Sequence, residues 1–312
     1  MISSIFGQSK PINYVIILGF LLLFYGVLSF DSLFSAESAQ DLILRLLVLA
    51  ILLFSIMVVN FIVKRNQISG TNDYTIFYYT LLVVLFPDVL VDHNAILSSY
   101  FLLLALRRLI SLKSLKDIKL KLFDATFWIV VSSLFYDWVL LFVILVYICI
   151  YFYEPKNIRN WLVPILCLVC TTALLYTSLI LFGETAFILE HYQFKIAANS
   201  NILYSMQGSV KILLYLILVV VAMIVSFIKL GKLGMGKIVT MRIITIAFFV
   251  GMVVTILKSQ ETISPVMITF FPASILFTKY VEVIKKANIK ELTLILSIVV
   301  PFMIFIGELI AK

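Results

Sequence analysis

Apolar runs follow one another along this chain from Ile12 to Ile310, and no polar stretch between them is long enough to fold by itself. That pattern decides the solvent. Inside hydrocarbon a backbone must satisfy its N–H and C=O groups internally, so such runs become helices packed into a bundle. Composition agrees: 63% of residues are hydrophobic, 13% are charged, and mean hydropathy is +1.16. An ordinary soluble domain carries about 25% charged residues. The expected fold is all-α, a polytopic transmembrane helical bundle. Residues 1–312 form a single integral membrane domain whose first partners are membrane lipids. The first apolar run is full length and lacks a small-residue cleavage site, so it reads as a retained helix.

Charge orients the bundle. The net charge of +8 would suggest nucleic acid in a soluble protein. Here it reflects lysine and arginine gathering on cytoplasmic loops, so nucleic acid is not an expected partner. Residues 125–152 pose the main topological choice. As one helix they would run about 42 Å at about 1.5 Å per residue, with Asp137 near the bilayer centre. As two short segments they turn at Tyr136-Asp137-Trp138, an acid between interface-seeking aromatics. The split leaves only Arg45, Lys195, Lys211, Lys258 and Lys312 of the 24 basic residues outside. It predicts about 11 spans, short paired helices at 74–112 and 125–152, and the N-terminus inside, in a bacterial inner (cytoplasmic) membrane. Lys113 to Lys121, where leucine and isoleucine interleave with lysine, reads either as a helix lying on the inner leaflet or as a solvated basic loop. Pro164, Pro265, Pro272 and Pro301 mark candidate kinks. Cys149, Cys167 and Cys170 lie inside apolar runs and read as packing residues.

Chemistry is sought at the break Phe86-Pro87-Asp88-Val89-Leu90-Val91-Asp92-His93-Asn94. The preceding segment, Tyr74 to Phe86, covers only about 20 Å of a core about 30 Å thick. Ten of the sixteen acids and both histidines fall on the outer side in this topology. If the break is helical, Asp88 and Asp92 share one face and can hold a divalent cation with water. Helix capping is the ordinary alternative for either. His93 and Asp137 are ligand-binding candidates beside them. Arg45, Lys211 and Lys258 are the outer cations that could meet a phosphate, or else snorkel to the headgroups.

Three stretches resemble an uncharacterised family of polytopic inner-membrane proteins from Bacteroidota: Phe101–Ser114 (FLLLALRRLISLKS), Lys121–Trp138 (KLFDATFWIVVSSLFYDW) and Phe270–Tyr280 (FFPASILFTKY). The layout also resembles the GT-C glycosyltransferases, which use polyprenyl-phosphate-linked sugars and place essential acids in their first two outer loops. Asp31 and Asp88/Asp92 hold comparable places here. The first outer loop is shorter than that family's, and no DxD is present. The resemblance implies an envelope-biogenesis enzyme acting on a polyprenyl-linked glycan at the outer face. Asp31 would be the base, and Asp88 with Asp92 would position a metal or the leaving phosphate. A non-catalytic subunit bound to other envelope proteins, and a transporter or flippase, are the competing readings.

Overall fold

The computed structural model describes residues 2–28, 39–194, 206–230, 235–258 and 265–311. Every regular element among them is helical. In chain order these are α1 (Ile2–Phe6), α2 (Pro11–Leu28), α3 (Ala39–Arg65), α4 (Tyr74–Leu85), α5 (His93–Ser111), α6 (Ile118–Ser133) and α7 (Val143–Tyr153). There follow α8 (Ile158–Phe182), α9 (Ala186–His191), α10 (Met206–Leu230), α11 (Met235–Leu257), α12 (Phe270–Val283) and α13 (Ala287–Ala311). Among the described residues, eight helices are long and apolar enough to cross a membrane. Tyr74–Leu85 and Asp137–Tyr153 are shorter apolar segments.

The bundle is built around α4. It is apolar along its whole length, and all 12 of its residues are buried. A helix that is apolar all round belongs in the interior, and α4 is packed by α2, α3, α12 and α13. Its N-terminal end is held by one carboxylate. Asp73, 1% exposed, accepts hydrogen bonds from Ser9 Oγ at 3.0 Å, Lys10 N at 3.1 Å and Asn13 Nδ2 at 2.8 Å. Lys64 Nζ stands 3.2 Å from it. Two further acids bind loop backbone at the same end. Glu282 accepts from Gly70 N at 2.6 Å and Asn72 Nδ2 at 2.7 Å. Glu291 accepts from Ile2 N at 2.6 Å and Ser3 N at 3.1 Å.

The chain does reverse at Tyr136-Asp137. Antiparallel to α5, α6 pairs Asp124 with Arg108 at 2.7 Å and Ser132 with Ser98 at 2.8 Å. The returning segment, a 3₁₀ turn Asp137–Phe142 followed by α7, runs antiparallel to α11. Asp137 meets Lys258 at one end, and Gly251 approaches Phe142 further along. Close packing needs that glycine, because a Cβ on it would lie 2.9 Å from Thr269 Cγ2.

Lys113 to Lys121 is neither a surface helix nor one continuous loop. Leu112–Ser114 is a 3₁₀ turn, Leu115 and Asp117 take left-handed φ, and α6 already starts at Ile118. Pro272 does not kink α12, because it falls in the first turn, where its missing N–H would have had no partner. Pro164 and Pro301 lie inside α8 and α13. The stretch after Phe182 contains the short helix α9.

Replacing Asp73 with alanine is expected to lower stability by about 3–5 kcal/mol, the range for stripping one partner from a buried charged network. Thermal unfolding in detergent measures it. Lys119→Ala, at an exposed position on α6, is the control and should shift the midpoint little.

Candidate functional site

Because α4 is short and anchored at its N-terminal end, its C-terminal end stops early. Twelve residues make about 18 Å at about 1.5 Å per residue. Phe86 ends α4, a 3₁₀ turn takes Pro87–Leu90, and α5 starts at His93. The stretch is therefore not one helix, and the two aspartates do not share a helical face. Asp88 is exposed, and its side chain makes no hydrogen bond or ion pair among the described residues. Asp92 is 9% exposed and is the N-cap of α5.

Both oxygens of Asp92 are engaged. Oδ1 accepts from Ala95 N at 3.1 Å, and Oδ2 accepts from the Tyr136 hydroxyl. The next residue along, Asp137, is 2% exposed. Its Oδ1 accepts from Trp138 N at 2.9 Å and lies 3.5 Å from Lys258 Nζ. Tyr136-Asp137 thus joins the start of α5 to the end of α11. Beside it, His191 Nε2 donates to Ser133 O at 2.8 Å, and the Tyr192 hydroxyl lies 2.9 Å from Ser133 Oγ.

The other candidate residues fall around this cluster. His93 is half-buried at the start of α5 and feels the charge of Arg45 on α3. Lys211, 8% exposed, pairs with Glu308 at 2.5 Å and sits 5.3 Å over the Phe86 ring. Asp31 lies outside the described residues. Among the described residues no group of three or more His, Cys, Asp or Glu is placed to hold a metal ion. A metal shared by Asp88 and Asp92 would also have to compete with the Tyr136 hydroxyl for Oδ2.

A cavity of about 380 Å³ opens between α4, α10, α12 and α13. Leu81, Leu82 and Leu85 form its floor. Leu214, Leu218 and Val221 face Leu296, Val300 and Pro301 across it. The two facing rows are partly exposed, Leu218 at 46% and Leu296 at 51%, so the groove opens sideways onto whatever surrounds the bundle. Most of its polar groups are occupied with one another or with the helices. Tyr78 OH lies 3.1 Å from Ser297 Oγ, Tyr215 OH lies 2.8 Å from Thr269 Oγ1, and Thr293 Oγ1 donates to Ile289 O at 2.9 Å. The wall offered to a ligand is mostly hydrocarbon, and the Lys211–Glu308 pair lies one helical turn beyond Leu214.

Sequence reasoning missed Tyr136 as a partner of Asp92, Glu308 as the partner of Lys211, and the groove itself. Pro301 was the one available signal: inside α13 it leaves the carbonyl of Ser297, on the groove wall, without its helical N–H.

Eight membrane-length apolar helices around a buried short one define a multi-pass helical membrane protein. More particularly, the chain belongs to DUF6427, a family of unknown function, whose model matches residues 7–311. No curated protein and no solved structure matches it.

Lys258→Met should destabilise the protein by about 3–5 kcal/mol because it strands a buried carboxylate, whereas Lys258→Met/Asp137→Leu should recover most of that loss. A double-mutant cycle on unfolding midpoints measures the coupling.

Proposed function

We propose that this protein acts in cell-envelope biogenesis, in the cytoplasmic membrane of a bacterium, on a lipid-linked substrate presented at the outer face. In this reading the chain makes about eleven passes with its N-terminus inside. The observation that carries it is the apolar groove, with Lys211 one helical turn from Leu214 on its wall. A long isoprenoid or acyl chain suits a hydrocarbon-walled slot that opens sideways. A phosphate at the head of that chain suits a lysine one turn beyond the slot's wall, where it would take the place of Glu308.

In its most concrete form the reaction is a GT-C-like glycosyl transfer from a polyprenyl-phosphate-linked sugar. A carboxylate takes the proton of an acceptor hydroxyl, that oxygen attacks the anomeric carbon, and the polyprenyl phosphate leaves. Asp88, exposed and unpaired at the outer break, and Asp31 in the first outer loop are the candidates for the base. Asp92 and Asp137 serve as the frame, since both are already bonded. One observation favours a second reading, a non-catalytic subunit of an envelope complex. Only 11% of the membrane windows of α8 and α13 is buried, which leaves two helix faces for partner helices.

Complementation of a deletion strain separates the two. Asp31→Asn, Asp88→Asn, Lys211→Met and Leu218→Trp are compared at matched membrane levels, with surface glycans read on a gel beside growth. For a transferase, loss of the base lowers product by about 10²–10⁴-fold, and the groove-filling Leu218→Trp gives a partial defect. If all four restore wild-type glycans, the transferase reading is wrong and the subunit reading stands.

A further inference from the structure

A second site lies at the opposite end of the bundle. Four segments far apart in sequence converge there on a small polar cavity of about 50 Å³. They are the end of α3 with Asn66 and Gln67, the turn after α5 with Lys113, the first turns of α11 with Lys237 and Thr240, and α12 with Lys279. Among the described residues no carboxylate pairs with Lys113 or Lys237, and the two ammonium groups repel one another. Lys113 Nζ gives one hydrogen to Asn66 O, leaving its others for a ligand. Lys279 is already neutralised by Glu282 at 2.7 Å. The cavity therefore gathers two exposed cations that no carboxylate pairs with among the described residues, and both would attract an anion bound there.

The start of α11 adds to this. The first N–H groups of a helix have no intrahelical partner, and the helix dipole favours negative charge there. Gly236 lines the cavity, and nothing lies within 4 Å of where its Cβ would be. A ligand can therefore approach the backbone. The volume admits a phosphate-sized group and excludes a nucleotide. The position matters too, since these are inner helix ends in the proposed topology, at the depth of inner-leaflet phosphates. Leu115, two residues from Lys113, is 55% exposed and offers apolar contact beside the charge.

We propose that Lys113, Lys237 and the first turn of α11 form a binding site for the phosphate of an anionic phospholipid of the inner leaflet. This inference shares the orientation of the proposed function but none of its residues, so either can fail alone. The test uses full-length protein purified in neutral detergent. Retention of phosphatidylglycerol is measured by native mass spectrometry, and inorganic phosphate is titrated separately. Wild type should retain about one phosphatidylglycerol in preference to phosphatidylcholine. Lys113→Gln/Lys237→Gln should weaken retention by about thirtyfold, about fivefold per lysine. Gly236→Asp should abolish it while leaving the helix sound, since an acid suits a first turn. Lys285→Gln/Lys286→Gln, on exposed lysines of the same face, should change nothing. Equal loss in that control would reduce the effect to general surface charge and overturn the site. Inorganic phosphate binding as tightly as the lipid would overturn the lipid as its ligand.

Discussion

The Asp73 carboxylate is the contact on which the other positions depend. It is buried at the start of α4 and bonded to the α1–α2 junction, to α2 itself and to Lys64 at the end of α3. A buried charge is tolerated only when paired and hydrogen-bonded, so these elements cannot separate without stranding it. With the N-terminal end of α4 held there, the helix has too few residues to reach the far side. Everything peculiar about the half beyond it follows: the Pro87 break, the 3₁₀ turn, and a polar cluster set among longer helices.

The acids divide by task. Asp73, Glu282 and Glu291 bind loop backbone and side chains at one end. Asp92, Asp137 and Glu308 are paired at the other, with Tyr136, Lys258 and Lys211. Such pairs are held by low dielectric and cost most when one member is removed. Asp88 stands apart from this scheme, exposed and with no side-chain bond among the described residues.

The helical class and the reversal at Tyr136-Asp137 were legible in the sequence because both depend on quantities that add along a chain, hydropathy and loop charge. The burial of α4 was partly legible, since Tyr74 to Phe86 is too short to span the core. What stayed hidden depends on contacts between distant positions. Asp73 looks like any loop acid until Asn13 and Lys64 are folded against it. Asp92 looks like a metal ligand until the Tyr136 hydroxyl reaches it from 44 positions away. The start of α6 at Ile118 was masked by its lysines, which break the apolar run without breaking the helix. The groove has no local signature beyond Pro301, because its walls come from four helices.

The position of α4 also bears on how the chain is made. Two of its neighbours, α12 and α13, follow it in the chain by some two hundred residues. Until residues 266–311 emerge from the ribosome, a twelve-residue helix bearing Tyr78, Tyr79 and Thr80 lacks the side chains that will enclose it. The nascent chain therefore carries an unfinished interior while the helices between are made. Its closure is a late event across some two hundred residues of sequence, and any factor that guards immature membrane proteins would meet this one with α4 still uncovered.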